Sequence, residues 1–402
     1  MKNFILSIQH LLAMFGATVL VPILTGFDPS VAIFCAGLGT LIFHLCTKGK
    51  VPVFLGSSFA FIPVVISANQ ISNGDRAFAQ GGIIIAGLIY VILSFLIKFI
   101  GIDKIKKYFP PQVTGAMIAV IGLNLLPSAI DMAIENLMIS IITLSIAILI
   151  NVYGKGFIKQ LGILLAVTAG YIISLISGGV DITPILNTNL FQIPNFTLPK
   201  FSLEAIIIIA PIVIAVFMEH VGDMTTNGTV VGKNFIEDPG LNKTLLGDGL
   251  ATIISGLIGG PANTTYGENT AVLAITKNYN PSLLRFTAIY AILLSFIGVF
   301  GAFLQSIPSA VMGGISIMLF SMIAFIGAKT IKDSKCFKNK RNLIIIASIL
   351  IIGIGTSYLG NKGISIGIPI TSNVSITGLS LAAIVGLILN RIINNKEFKT
   401  SK

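Results

Sequence analysis

The sequence predicts an all-α polytopic membrane protein with fourteen transmembrane segments, arranged as two inverted repeats of seven. Composition, the spacing of apolar segments and the placement of basic residues carry this prediction. Of the 402 residues, 54% are hydrophobic and only 10% are charged, whereas a soluble domain has about 25% charged residues. A chain this poor in charge is suited to the bilayer as its solvent.

The apolar segments have lengths suited to a membrane, since a spanning helix needs about 20 apolar residues. The third and the tenth are short and are interrupted by Gly, Ser, Thr, Asn or Pro. The segments cover residues 4–24, 30–47, 55–68, 81–101, 111–127, 135–152, 157–177, 203–222, 245–260, 264–276, 284–304, 309–328, 342–358 and 374–393.

The basic residues give an independent test of the topology. With the N-terminus in the cytoplasm, fourteen crossings leave only Arg76, Lys200 and Lys362 of the 26 Lys and Arg residues outside. Positive charge favours cytoplasmic loops, and one span more or fewer would remove this bias. We therefore expect both termini to be cytoplasmic in a cell membrane protein. The net charge of +11 is assigned to these loops and not to nucleic-acid binding.

The two interrupted segments occupy matching places in the chain. Seven segments lie on each side of about residue 201, and an odd number per half makes the halves inverted. The interrupted segment is the third in each half, and such pairs point to the substrate site of a transporter. Their backbone must be buried in protein or line a cavity.

The third segment contains a run of small residues and aromatics at 56–63. Phe59 and Phe61 alternate as on a short extended strand, and the small residues allow close backbone approach. The alternative is an ordinary helix with two core Phe residues.

The tenth segment contains the matching stretch, 261–270. Its β-forming residues 264–266 predict a short strand, followed by Gly267 and a helix start. Glu268 and Asn269 then lie near a helix N-terminus, where unpaired N–H groups can contact a polar ligand. The alternative is an ordinary polar helix cap.

The eighth segment carries two acids, Glu219 and Asp223, four residues apart and so on one helix face. An ionisable residue within a span indicates a functional site. The alternative is a span that ends before Glu219, but the apolar run 202–218 would then be short for a membrane.

Glu219 and Glu268 have no basic partner in their own segments. An unpaired carboxylate is costly to bury, so we expect a protonated, neutral acid that both donates and accepts hydrogen bonds. Such a site suits a flat, neutral solute with an amide-like edge, and a second acid could take a coupled proton. Three scattered His and three scattered Cys residues form no metal-ligand or nucleophile–base pattern, so we expect neither an enzyme nor a cofactor.

Several long stretches resemble the nucleobase/ascorbate transporter family, with the closest likeness to its bacterial uracil-transporting members. The resemblance covers nearly the whole chain and is strongest at residues 9–22, 56–61, 219–222, 263–269 and 312–314.

This resemblance implies a core domain (1–101 and 201–304) moving against a gate domain (102–200 and 305–402). Two short strands in segments 3 and 10 would meet at the substrate near mid-membrane. The implied partners are uracil, a proton, the lipid bilayer and a second copy of the chain in a homodimer. The implied substrate-binding residues are Glu219 and Glu268, with backbone contacts from Phe59 and Gly267 and with Tyr266 and Asn269 as neighbours.

Asp223 departs from the pattern of the uracil-transporting members, which resemble one another in having His there. Purine-transporting members carry an acid at this point. Proton coupling is therefore expected at Glu219 and Asp223, and a xanthine or purine permease is the alternative. An anion transporter of the same architecture is a further alternative, although it should offer positive charge in place of acids.

Overall fold

The computed structural model describes residues 2–101, 110–364, 366–369 and 375–394. The start of the predicted first gate part and the predicted cytoplasmic C-terminus fall outside these ranges. The first half contains α1 (Lys2–Thr25), α2 (Pro29–Cys46), β1 (Leu55–Ser57), α3 (Ile62–Ile71), α4 (Arg76–Ile100), α5 (Pro111–Ile134), α6 (Leu137–Tyr153), α7 (Gly156–Gln160), α8 (Gly162–Ile176) and α9 (Thr183–Leu186).

The second half continues the helical pattern. Its elements are α10 (Leu203–Ile209), α11 (Val213–Val231), α12 (Leu241–Ile258), β2 (Asn263–Thr265), α13 (Gly267–Thr276), α14 (Pro281–Ser295), α15 (Gly298–Gln305), α16 (Ser309–Asp333), α17 (Lys340–Asn361), β3 (Ile368–Pro369), β4 (Ser375–Ile376) and α18 (Gly378–Ile393).

Among the described helices, seven are long and apolar enough to cross a membrane, and shorter apolar helices accompany them. Large apolar side chains such as Ile92, Phe99 and Ile351 point outward and are exposed. Helices suit lipid because they satisfy their backbone hydrogen bonds internally. The chain is an integral membrane protein.

The helices pack in two groups. In the first group α4 packs on α12, and α2 lies against both α12 and α14. In the second group α5 packs on α16 and α17, α16 also contacts α6, and α17 contacts α18. Each group combines helices from both halves of the chain.

Several helix ends follow from local sequence. Asp28 caps α2 by accepting a hydrogen bond from the N–H of Ser30 at 2.7 Å, and Asp75 caps α4 by accepting from the N–H of Ala77 at 3.0 Å. Helix α11 ends at Gly232, whose φ of +77° is a left-handed conformation that favours glycine.

The eighth predicted segment runs further than its apolar stretch. Helix α10 continues through a 3₁₀ turn, Ala210–Ile212, into α11, and the turn contains Pro211, which lacks a backbone donor. Because α11 reaches Val231, the helix continues past Glu219 and does not end before it.

The extended conformation predicted for Phe59 and Phe61 is also wrong, because Phe59–Phe61 forms a 3₁₀ turn. Strand β1 ends at Ser57, and the register would place Phe59 opposite Pro261. Proline has no N–H to extend the ladder. Pro63 then lies in the first turn of α3, a position that proline favours.

Candidate functional site

Strands β1 and β2 cross in the interior as a two-stranded antiparallel pair, with Gly56 opposite Thr264. Two further backbone bonds extend the pair: the N–H of Ser58 donates to the carbonyl of Ala262 at 2.8 Å, and the N–H of Tyr266 donates to that of Phe54 at 3.0 Å. All six strand residues are buried. This pairing joins the third and the tenth predicted segments in the interior of the protein.

Two threonine hydroxyls satisfy the free edges of the strands. The N–H of Leu55 donates to Oγ1 of Thr40 on α2 at 2.8 Å. The N–H of Asn263 donates to Oγ1 of Thr252 on α12 at 3.3 Å. The Thr252 hydroxyl donates in turn to the carbonyl of Asn263 at 3.1 Å. Side chains of flanking helices thus replace the missing neighbouring strands, as buried backbone groups require.

Tyr266 lies across β1. Its hydroxyl donates to the carbonyl of Ser57 at 3.0 Å, and a Cβ at Gly56 would collide with its ring. Glycine is therefore required at position 56 for this close approach. Gly267, directly after Tyr266, is exposed, and a Cβ there would meet no atom within 4 Å. Open space adjoins the start of α13.

The predicted acids Glu219, Asp223 and Glu268 are all half-buried. Glu219 lies within α11, and its Oε2 atom is buried without a hydrogen-bond partner among the described residues. Asp223, Glu268 and Asp248 are near enough to interact electrostatically with Glu219. The structure thus brings the three predicted acids into one neighbourhood, to which Asp248 adds a fourth acid.

Asp223 has a specific partner in the strand pair. The hydroxyl of Thr265, the last residue of β2, donates to Oδ2 of Asp223 at 2.8 Å. Asp223, the acid that stands where uracil-transporting members carry His, is therefore hydrogen-bonded directly to β2.

A buried pair behind these acids was not predicted. Nδ1 of His220 lies 2.8 Å from Oδ2 of Asp248, and both side chains are at most 2% exposed. Nε2 of His220 lies 2.9 Å from the hydroxyl of Thr244. The signal for this pair in the sequence was an acid, Asp248, between Gly247 and Gly249 in an otherwise apolar segment.

The remaining predicted residues lie around the crossing. Nδ2 of Asn269 donates to the carbonyl of His10 at 3.0 Å, so this side chain joins α13 to α1. Phe59 is buried, with its ring centroid 6.0 Å from that of Phe320 on α16 at an interplanar angle of 81°. The predicted residues therefore form one neighbourhood.

The described residues contain no group of three or more His, Cys, Asp or Glu side chains that could hold a metal ion. The three cysteines are free.

A cavity of about 270 Å³ lies elsewhere, where α2 and α4 begin, and it is lined by none of these acids. Asp75 in its wall accepts a hydrogen bond from the Lys200 ammonium at 2.8 Å. This contact, followed by the N–H of Ala77, lowers the pKa of Asp75 from its usual value.

Comparison with known proteins places this helical membrane protein among the permeases. The model of the Permease family Xan_ur_permease matches residues 1–361. The chain belongs to this family, the nucleobase/ascorbate transporters.

Individual relatives are similar along nearly their whole length. A probable uracil permease of Haemophilus influenzae is 40% identical, covering 98% of this chain and 94% of the relative. The uracil permease of Bacillus caldolyticus is 41% identical, with 96% and 91% covered. That of Escherichia coli strain K12 is 40% identical, with 96% and 90% covered.

Solved structures share the fold at low sequence identity. The transmembrane domain of the cyanobacterial bicarbonate transporter BicA superposes with a TM-score of 0.65 at 16% identity, covering 96% of both chains. Murine Slc26a9, an anion transporter in the inward-facing state, gives 0.72 at 11% identity, covering 98% of this chain and 68% of the other. Another SLC26A9 structure gives 0.71 at 10% identity, and this chain spans 65% of its length.

Proposed function

We propose that the chain imports uracil together with a proton, by alternating access across the cell membrane. The observation that carries the proposal is the placement of Glu219 and Glu268 beside the crossed strands, with Oε2 of Glu219 buried and unpartnered. Permease family membership and the uracil permeases among its relatives support the substrate.

The acids fit a neutral ring better than an anion. A protonated carboxyl offers one donor and one acceptor, which complements the adjacent N–H and C=O of uracil. We assign base binding to Glu219 and Glu268, with backbone contacts from Phe59 and Gly267. The open space beside Gly267 supports the last assignment.

Tyr266 and Asn269 are proposed to shape the site. Their side chains bond to Ser57 and His10, which fixes the crossing and the start of α13. Proton coupling is assigned to Glu219 and Asp223, which interact electrostatically and so titrate as a coupled pair.

The finer architecture belongs to the same proposal. Fourteen spans in two inverted repeats fit the matched contacts of the helices: α4 with α12 corresponds to α14 with α2, and α5 with α17 corresponds to α16 with α6. The predicted core and gate domains fit the two packing groups, cytoplasmic termini fit the basic loops, and a homodimer remains part of the proposal.

Uracil uptake by a strain without its own uracil permease tests the proposal directly. Cells expressing the chain should accumulate labelled uracil, and a protonophore should stop uptake. Sodium-dependent uptake that ignores the protonophore would contradict proton coupling.

A xanthine or purine permease is the second candidate, and Asp223 is the observation that favours it. Unlabelled xanthine should leave uracil uptake unchanged if uracil is the substrate. Uptake of xanthine itself would instead support a xanthine or purine permease. The anion transporters share the fold, but the acidic surroundings of Glu219 disfavour an anion.

A further inference from the structure

Thr265 connects an acid of α11 to the strand pair. Its side chain is only 3% exposed, it lies opposite Leu55 in the ladder, and its hydroxyl donates to Oδ2 of Asp223 at 2.8 Å. Tyr266 and Gly267 follow it directly in the chain. A change in this hydrogen bond therefore acts on the stretch of backbone that leads into Glu268.

The other charged or titratable groups facing Asp223 come from three helices. Glu219 and His220 lie on α11 itself, Asp248 on α12 and Glu268 on α13. His220 is directed to Asp248 at 2.8 Å. Among the described side chains, Thr265 is thus the one that donates a hydrogen bond to Asp223.

The strength of this bond depends on the charge of Asp223. An ionised carboxylate accepts hydrogen bonds more strongly than a neutral carboxylic acid. A protonated Asp223 carries a hydroxyl of its own that can donate, so the Thr265 contact weakens or reverses when the proton binds.

We propose that Thr265 is a positioning residue that links proton binding at Asp223 to the substrate-binding strand β2. This inference rests on the proposed function, because it assigns a part to Thr265 within proton-coupled nucleobase uptake. Thr265 acts through Asp223 and the strand backbone.

The test measures how the initial rate of uracil uptake depends on pH for Thr265→Val and Thr265→Ser. Val removes the hydroxyl at nearly constant volume, and Ser keeps it. Without its donor the ionised form of Asp223 is less favoured, so the pH profile of Thr265→Val should move toward higher pH by about one unit. Thr265→Ser should retain the wild-type profile.

Thr252→Val is the matched control. The Thr252 hydroxyl also bonds to β2, at Asn263, but it is bonded to no acid there. This variant should slow uptake or lower the melting temperature without displacing the pH profile. If Thr265→Val does not fold, Thr265→Ala removes the same hydroxyl with less bulk.

A second, independent comparison introduces Thr265→Val into an Asp223→Asn background. Asn cannot titrate and removes a proposed proton-coupling acid, so the readout here is the pH dependence of uracil binding by the purified protein, and adding Thr265→Val should displace that profile no further. The inference is overturned if Thr265→Val keeps the wild-type profile, if Thr252→Val produces the same displacement, or if the displacement persists in Asp223→Asn.

Failure of the proposed function is distinguishable from failure of this inference. A wild-type chain that takes up xanthine and not uracil overturns only the substrate assignment, and the same pH comparison is then made with xanthine. A wild-type chain that takes up neither base overturns both. Wild-type uptake with no displacement in Thr265→Val overturns the inference alone.

Discussion

Glu268 occupies the first turn of α13, directly after the exposed Gly267 and beside open space. It lies in the first turn of the helix and is half-buried, so its carboxyl is partly removed from water. A helix start also presents free N–H groups. Glu268 therefore combines an ionisable side chain with the free backbone donors of a helix start.

Replacing Glu268 with Gln should abolish uracil uptake while leaving the protein folded in the membrane. Gln cannot release or carry a proton and presents a different donor pattern. Leaving the hydrogen-bonding edge of uracil unpaired costs about 1–3 kcal/mol, or roughly 5-fold to 150-fold in affinity. Uptake and melting temperature are the measurements.

Glu237→Gln is the control for this change, because Glu237 is an exposed acid away from the crossing. It should transport normally. Normal uptake by Glu268→Gln would sink the assignment of Glu268 to the site.

Two glycines beside Tyr266 should respond differently to alanine. Gly56→Ala should lower the melting temperature, because its Cβ collides with the Tyr266 ring and overpacking costs about 1–3 kcal/mol. Gly267→Ala should melt like the wild type but transport poorly, because its Cβ enters open space beside Glu268. Equal melting temperatures for the two variants would contradict this account of the crossing.

The sequence predicted most residues of this neighbourhood but not all of their partners. Glu219, Asp223 and Glu268 could be found because acids in apolar segments are costly and therefore conspicuous. Asp248 was missed because its significance depends on His220, a contact between helices that no spacing rule gives. Thr265 was missed for the same reason.

At the level of secondary-structure elements, β1 and β2 are short because neighbouring residues prevent the strands from continuing. Thr40 and Thr252 take the outer backbone groups, and Pro261 cannot donate where the ladder would continue. The interrupted character of both segments was visible in the sequence. The turn at Phe59–Phe61 was not, because its cause is the register with a partner about 200 residues away.

Helices α11 and α12 are joined by the buried contact between His220 and Asp248. Asp248→Ala should lower the free energy of unfolding by about 1–3 kcal/mol, because it leaves the buried His220 without its hydrogen-bonding partner. The measurement is thermal unfolding in detergent. Asp131→Ala, at an exposed position of α5, is the control, and equal melting temperatures for the two variants would refute a stabilising role for the pair.

For the whole molecule, the membrane class was the most predictable property, because low charge and repeated apolar segments both indicate it, whereas the fourteen-span topology stays a prediction. The length of the apolar segments alone was a weaker predictor of the spans. Helix α12 carries Asp248 and several small or polar residues, and it is not among the seven long apolar helices. The grouping of helices from both halves was implied only by the family resemblance, because no spacing rule predicts contacts between distant segments.

Topology can be tested by labelling single cysteines in a background without Cys35, Cys46 and Cys336. A cysteine at Lys362, predicted outside, should react with a membrane-impermeant maleimide in intact cells. A cysteine at Lys335, predicted inside, should react only after permeabilisation. Reaction of both in intact cells would invalidate the predicted orientation.

Uracil and a proton should enter together through the acids at the strand crossing. Proteoliposomes containing the purified chain and an internal pH dye test this most directly when external uracil is added. The interior should acidify with the wild type and should not with Glu268→Gln. Uracil entry into wild-type vesicles without acidification would contradict the mechanism.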